Sequence, residues 1–147
     1  MSERNIAASD RIVDAMIALA RCSKEQRIMV AGSKSFELTF ELERRGFAHV
    51  AATANCGRAA HQYDVALVDW RRRPLRGLES LLRWVTGLLK SEGVLLIWTE
   101  PQKSAGRDIL RCAIETCGFV VERDIIHQEG FAVSARFRES KPIPKAA

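Results

Sequence analysis

The stretch LLRWVTGLLKSEGVLLIWTEP, residues 81–101, changes its apolar pattern at one glycine, Gly93. Before Gly93 the apolar residues recur every three or four positions, which predicts a helix with one buried face. After it the run VLLIWT is continuously apolar, which is typical of a strand that is covered on both faces. The stretch therefore predicts a helix that Gly93 ends and a buried strand over residues 94–99.

The same alternation of strands and helices extends towards the N-terminus. Short apolar runs predict strands over residues 27–32 (RIMVAG), 47–53 (FAHVAAT) and 63–70 (YDVALVDW). Helical periodicity predicts an N-terminal helix over residues 9–21 whose apolar stripe packs on the sheet. The chain therefore reads as helices and strands in alternation, which favours an α/β fold.

Capping residues predict where the helices begin and end, because serine side chains satisfy free N–H groups and glycine accepts a left-handed conformation. We expect starts at Ser9, at Ser33 or Ser35 and at Ser104, and ends at Gly46 and Gly118. The buried face of the helix after Ser104 is expected to hold Ile109, Leu110, Ala113, Ile114 and Cys117.

The C-terminal part has a different pattern. Two strand-like runs, FVVERDIIHQ and FAVSARFRE, flank Glu129-Gly130, a dipeptide typical of tight turns. Strands that alternate with helices pair in parallel through right-handed crossovers, so the closing hairpin adds one antiparallel strand. We therefore predict a single α/β domain over residues 1–138, followed by a disordered tail, residues 139–147.

Composition excludes several classes of protein. The 147 residues are 47% hydrophobic, which is too apolar for a disordered chain and sufficient for one core. No apolar run reaches the roughly 18 residues of a membrane helix, and Asp10 and Asp14 interrupt any signal-like segment. We therefore expect a cytoplasmic protein without a membrane partner. The net charge of +5 favours an anionic partner, nucleic acid included, without requiring one.

The cysteines predict reduced thiols rather than disulfides or a metal site. They are scattered along the chain, and no pair of them has the spacing of a metal or redox motif. Their spacing to the histidines matches no zinc site either, so we expect no metal. The residues concerned are Cys22, Cys56, Cys112 and Cys117, with His49, His61 and His127.

Four segments, through their sequences and their order along the chain, resemble the class I S-adenosylmethionine (SAM)-dependent methyltransferases over residues 27–138. The segments are VAGSKSFELTFELERRGFAHVAAT, YDVALVDW, LLRWVTGLLKSEGVLLIWTEP and GFVVERDIIHQEGFAVSARF. The resemblance implies a Rossmann-like, three-layer α/β sandwich, with a mostly parallel sheet and an antiparallel C-terminal hairpin strand. It also implies SAM beside Gly32, Ser33 and Asn55, and Asp69 at the catalytic position.

The chain departs from this family in the segments that hold the cofactor. The family's G-x-G-x-G loop is here Gly32-Ser33-Lys34-Ser35-Phe36, and the side chains of Lys34 and Phe36 are expected to fill the space over the first strand. The second strand lacks the acid that binds the ribose hydroxyls in the family, and Asn55 offers a single hydrogen bond instead. About ten residues replace the family's next helix and third strand, so we expect about six strands rather than seven.

Three functions are compatible with these observations. The first is a module that has lost standard SAM binding, needs no cofactor and binds or regulates a protein partner. The second is an active SAM-dependent methyltransferase with an atypical loop, in which Asp69 lies near the substrate. The third is an anion or nucleic-acid binding protein that uses the Gly32–Ser35 turn and a basic cluster. The cluster consists of Lys34, Arg71, Arg72, Arg73 and Arg76.

Each of these features also has a structural explanation. Asp69 has arginines beside it with which it can pair, and the serines after Gly32 can cap a helix. The arginine loop, residues 71–76, can be a solvated surface loop that acidic residues partly neutralise. The sequence is compatible with a monomer and with a homodimer.

Overall fold

The computed structural model describes residues 2–52 and 61–138, with side chains from residue 11 onwards. Helices and strands alternate along these residues. The helices are α1 (Ser2–Ala20), α2 (Ser35–Arg44), α3 (Leu78–Leu88) and α4 (Ser104–Thr116), with a 3₁₀ turn, Leu75–Gly77, before α3. The strands are β1 (Arg27–Gly32), β2 (His49–Ala52), β3 (Tyr63–Asp69), β4 (Leu89–Thr99), β5 (Phe119–His127) and β6 (Gly130–Phe137).

The strands form one six-stranded sheet in the order β2-β1-β3-β4-β6-β5. The first four strands are parallel, whereas β6 runs antiparallel between β4 and β5. This confirms the predicted Rossmann-like, mostly parallel sheet with an antiparallel C-terminal hairpin strand. The chain leaves β1 towards β2 and returns on the other side of β1 as β3. In open α/β sheets, the carboxyl ends of strands at such a reversal form a crevice.

Helices cover both faces of the sheet. Along β1, Ile28 and Val30 face a core shared with α1 and α2, whereas Met29 and Ala31 face a core shared with α3 and α4. This alternation follows from the two-residue repeat of a strand. All four side chains are buried because both faces carry helices. The apolar stripe of α1 lies in the first of these cores, so this helix packs on the same face of the sheet as α2.

The boundary between α3 and β4 differs from the prediction. The helix ends at Leu88 rather than at Gly93, and β4 begins at Leu89, which pairs with Tyr63 of β3. The register between β3 and β4 then shifts, and Gly93 lies in the extra length of β4, where a Cβ would collide with the Leu89 side chain. The helix stops early because Leu89 is fully buried as a strand residue of β4. Its pairing with Tyr63 overrides the local helical periodicity.

Two of the predicted helix starts are confirmed, since α2 begins at Ser35 and α4 at Ser104, but the predicted serine caps are wrong. α1 begins before Ser9, and the residues that precede α2 and α4 are Lys34 and Lys103, neither of which makes a capping hydrogen bond through its side chain. The hydroxyl of Ser33 instead donates to the carbonyl of Arg71, in the loop after β3. A contact between distant segments has therefore replaced the local cap.

The predicted helix ends at Gly46 and Gly118 are confirmed. Both residues have positive φ angles, 95° and 93°, in the left-handed region that glycine adopts without a Cβ penalty. The predicted buried face of α4 is wrong at one position, since the side chain of Ile109 is 54% exposed. The buried stripe begins one residue later, at Leu110, which turns Ile109 towards solvent.

The structure also allows the predictions about membrane-spanning helices, cysteine thiols and metal ligands to be compared with the described residues. None of the helices in the described ranges is both long enough and apolar enough to span a membrane. Cys22, Cys112 and Cys117 are free thiols. No group of three or more metal-ligating side chains occurs in the described part of the chain. The predictions for Asn55, Cys56 and the tail, residues 139–147, lie outside the described residues.

Candidate functional site

The candidate site lies where the carboxyl ends of β1, β3 and β4 meet. Gly32 pairs with Asp69 at the ends of β1 and β3, and Asp69 pairs with Trp98 of β4. A depression of about 330 Å³ opens at these ends. Arg76, in the 3₁₀ turn, does not line it. The residues that line it are Ser33, Lys34, Asp69, Arg71, Arg72, Arg73 and Glu100.

The turn after β1, residues 32–34, is bound to β3 of the same chain. Gly32 has a φ of 96°, and a Cβ built on it would collide with the carbonyl oxygen of Asp69. The N–H of Ser33 donates to that same carbonyl at 2.7 Å. Glycine is therefore required here for close approach to β3, whereas the family resemblance implies close approach to a cofactor.

The two bulky residues of this loop, Lys34 and Phe36, lie in different surroundings. Lys34 adopts the left-handed conformation, with φ 50° and ψ 33°, which is uncommon for a residue with a Cβ. Its side chain lines the depression. Phe36 is 66% exposed because it lies on the outer face of α2, away from the buried Leu38 and Leu42. The prediction that the Phe36 ring fills the space over the first strand is therefore wrong.

The carboxylate of Asp69 is buried, with 3% exposure, and is bound by Arg71. Its oxygens accept from Nε and Nη2 of Arg71 at 2.8 and 2.6 Å, and Oδ1 also accepts from the backbone N–H of Arg71 at 3.2 Å. Bidentate, charge-assisted pairs of this kind are strong and geometrically specific. This is the arginine pairing that the sequence offers as the structural explanation of Asp69.

The charge of Arg71 is stabilised by its surroundings. The hydrogen bonds to Asp69 raise the pKa of Arg71, and they outweigh the opposing effect of burial. The nearby carboxylates of Glu129 and Glu100 raise the pKa of Arg71 further. Its surroundings therefore favour the charged form of Arg71 that pairs with Asp69 at the end of β3.

A single hydroxyl group links the turn to the arginine loop. Ser33 Oγ donates to the carbonyl of Arg71 at 2.8 Å and accepts from Nε of Arg73 at 3.1 Å. The guanidinium of Arg73 also lies over the ring of Trp70, 5.2 Å from its centroid, in a cation–π contact. Trp70 donates its indole N–H to the carbonyl of Pro74 at 3.0 Å, which holds the loop in place. Arg73 is therefore oriented by two contacts.

The depression carries more positive than negative charge. Four cationic and two carboxylate side chains line it, which leaves a net charge of +2. Asp69 neutralises Arg71, whereas Lys34, Arg72 and Arg73 form no ion pair with any described residue. Guanidinium and ammonium groups without carboxylate partners are suited to bind an anion.

The N-terminal helix closes the side of the site next to α2. A cavity of only about 40 Å³ lies between α1, α2 and the ion pair at the end of β3, which is room for a few water molecules and not for a nucleoside. Two ion pairs hold α1 there, from Arg11 to Glu129 at 3.0 Å and from Arg45 to Asp14 at 3.2 Å. Sequence reasoning missed this closure because an apolar stripe predicts a buried face but not the surface that it covers.

Comparison with known proteins identifies the fold. No protein-family model matches the chain, and no curated protein matches it in sequence. The ribosomal protein L11 methylase of Lactobacillus delbrueckii subsp. bulgaricus aligns with a TM-score of 0.68 at 10% identity, over 88% of this chain and 79% of that chain. The 1,6-didemethyltoxoflavin-N1-methyltransferase of Burkholderia thailandensis, solved with S-adenosylhomocysteine, aligns with a TM-score of 0.60 at 11% identity, over 86% and 76%.

A third structure, the cyclase SpnF, aligns with a TM-score of 0.68 at 13% identity, over 89% of this chain and 81% of that chain. Such low identities, over most of each chain, show a common fold and no more. They agree with the strand order and with the antiparallel hairpin strand observed in the sheet. The chain therefore has the fold of the class I SAM-dependent methyltransferases.

Proposed function

We propose that this chain is a methyltransferase-fold domain that has lost the standard mode of SAM binding and acts as a binding or regulatory module. One observation carries the proposal: the turn that holds the cofactor in the family is bound, in this chain, to its own strand β3. The N–H of Ser33 and the close approach of Gly32 are both directed at the carbonyl of Asp69. The Asp69 carboxylate is in turn occupied by Arg71. These groups therefore already have partners within the chain.

The residues at the site do not fit SAM. Lys34 places an ammonium group in the loop that approaches the positively charged sulfonium in the family, and like charges repel. The net charge of +2 in the depression adds to this repulsion. On the side of α1, the cavity of about 40 Å³ is far smaller than the roughly 300 Å³ of a small ligand pocket. The charge of the depression and the small cavity beside α1 support a function that does not depend on SAM.

The fold does not by itself imply methyl transfer. Of the three structures described above, two carry methyltransferase or methylase names, one of these was solved with S-adenosylhomocysteine, and the third is named as a cyclase. One fold can host several activities, and the residues of the site decide between them. An active methyltransferase with an atypical loop, in which Asp69 contacts the substrate, is therefore the competing proposal.

Isothermal titration calorimetry with SAM and S-adenosylhomocysteine tests the proposal. We expect no saturable binding at ligand concentrations on the order of 1 mM, because the backbone of the turn is already bonded to β3. Saturable binding of either ligand with a Kd of about 10 μM or below would overturn the proposal. An active class I methyltransferase titrated under the same conditions provides the positive control.

The Lys34→Gly variant separates two causes of lost binding. If the bonded backbone of the turn excludes the cofactor, this variant also fails to bind SAM. If the variant instead gains affinity for SAM, the ammonium group alone excludes the cofactor and the bonded backbone does not. Glycine suits the left-handed conformation of residue 34, so the variant is expected to fold.

A further inference from the structure

We propose that the depression at the ends of β1 and β3 binds a single phosphoryl group, with Lys34, Arg72 and Arg73 as its ligands. The inference rests on the proposed function, because both concern the space that the family uses for its cofactor. It goes further in naming the chemical class of the bound molecule, which is inorganic phosphate or a phosphate monoester.

The charge of the depression matches that of a phosphate dianion. A phosphate monoester carries about −1.5 to −2 charges at pH 7, and the side chains that line the depression sum to +2. The carboxylate of Asp69 is occupied by Arg71, which leaves Glu100 as the second carboxylate of the lining. The remaining cations therefore outnumber the remaining acid by three to one.

Two contacts orient the guanidinium of Arg73, and its Nη groups remain available to bind the anion. Its Nε is bonded to Ser33 Oγ, and its plane lies over Trp70. Neither of its Nη groups has a hydrogen-bond partner among the described residues. An arginine that is already oriented loses less conformational entropy when it binds a ligand.

The backbone on both sides of the depression is strained. Lys34 and Arg72 have φ angles of 50° and 62°, a region that residues with a Cβ rarely adopt. Strained backbone of this kind is concentrated at binding and catalytic sites. Glycine would be the more stable residue at both positions. Arg21 and His61 also adopt positive φ angles outside the depression, so the charges of the depression and the orientation of Arg73 carry the inference.

The surroundings favour one phosphoryl group over a nucleic-acid backbone. Glu100 lies in the depression, Glu37 and Glu41 lie beside Lys34, and Glu129 lies close enough to affect Arg71. A polyanion that extended beyond the depression would meet these carboxylates. A volume of about 330 Å³ lies at the lower end of the roughly 300–1,000 Å³ of ligand pockets, which suits a small phosphorylated molecule.

Calorimetric titration with inorganic phosphate and with phenyl phosphate, at low salt, tests the inference. We expect saturable binding of at least one of them, with a Kd of about 1 mM or tighter. Binding of phosphate alone would identify the free ion as the ligand, and tighter binding of phenyl phosphate would identify a monoester. Both outcomes support the inference.

Three variants show where the anion binds. Arg73→Gln is expected to weaken binding about tenfold or more, because it removes a charge-assisted hydrogen-bonding group. The exposed Arg83 of α3 lies outside the depression, so Arg83→Gln is the matched control and should leave the affinity unchanged. Lys34→Gly should also weaken binding about tenfold while its melting temperature stays at or above that of the unmodified chain. That combination separates loss of a ligand from loss of the fold.

Three results would overturn the inference. The first is the absence of saturable binding at phosphate concentrations on the order of 10 mM. The second is equal weakening by Arg73→Gln and Arg83→Gln. The third is tight binding of a single-stranded oligonucleotide that falls steeply with salt and depends on Arg76. If neither SAM nor phosphate binds, only this inference fails, whereas binding of SAM contradicts the proposed function itself.

Discussion

The parallel strands give the sheet an amino edge, where the strands begin, and a carboxyl edge, where they end. These two edges use charge in different ways. At the amino edge, Asp64 accepts from the backbone N–H of Arg27 and from Nζ of Lys90, both at 2.9 Å. At the carboxyl edge, only one of the four cations that line the depression is paired with a described acid, namely Arg71 with Asp69. The comparison separates charge that is paired within the fold from charge that has no acidic partner among the described residues, which we assign to a ligand.

The largest expected effect comes from Gly32→Ala, which breaks the contact between the turn after β1 and the end of β3. A methyl group would collide with the carbonyl of Asp69, and the φ of 96° is strained for alanine. We expect the free energy of unfolding to fall by about 3 kcal/mol, measured by urea unfolding followed by circular dichroism.

Gly87→Ala provides the matched control for that measurement. Gly87 lies in α3, and a Cβ on it would meet nothing within 4 Å. This variant should be more stable than the unmodified chain by about 0.5–1 kcal/mol, because alanine favours the helix. A Gly32→Ala protein as stable as the unmodified chain would refute the close approach of the turn to β3.

A smaller effect separates the ion pairs of the two edges. Asp69→Asn leaves the half-buried Arg71 without its counter-charge, and we expect a loss of about 2 kcal/mol. Asp64→Asn removes a more exposed partner of Lys90, and we expect about 1 kcal/mol or less. Urea unfolding of both variants measures the difference. If Asp64→Asn costs as much as Asp69→Asn, the distinction between the edges is wrong.

The smallest expected effect is a pH dependence at the amino edge. Burial acts to raise the pKa of Asp64, but the bonds from Arg27 and Lys90 outweigh it, so the pKa lies below its ordinary value of 3.8. The unfolded chain therefore binds the proton more readily, and this contribution to stability is lost as pH falls below 3.8 and through the folded-state pKa.

Urea unfolding of the unmodified chain and of Asp64→Asn, at several pH values, measures this contribution. The difference in stability between the two should shrink from about pH 6 to about pH 3, because the variant has no carboxylate to protonate. A difference that stays constant over this range would show that the lowered pKa of Asp64 does not stabilise the folded state.

Some element boundaries were predictable from the sequence and others were not. The bounds of β1, residues 27–32, are those that the sequence predicts, because a strand buried on both faces is a continuous apolar run. The end of α3 was not predictable from Gly93, because the partner of Leu89 is Tyr63, in a different strand. Local patterns predict local structure, and they fail where a distant residue supplies the deciding contact.

The same distinction holds at the candidate site. The pairing of Asp69 with an arginine was a foreseeable alternative, since the partners are two positions apart. The exposure of Phe36 was not foreseeable from the loop motif, because it depends on which face α2 buries. Nor did any sequence pattern show that α1 closes one side of the site, where the ion pair of Arg11 joins it to the β5–β6 hairpin.

By itself, the sequence determined the order of helices and strands, the antiparallel ending of the sheet and the basic character of the loop after β3. These are properties of neighbouring residues, so spacing and composition are enough to reveal them. Only the tertiary structure decided that the turn after β1 bonds to β3 and that Ser33 orients Arg73. Those contacts join residues about 40 positions apart, and they exist only because the chain reverses its direction of winding between β1 and β3.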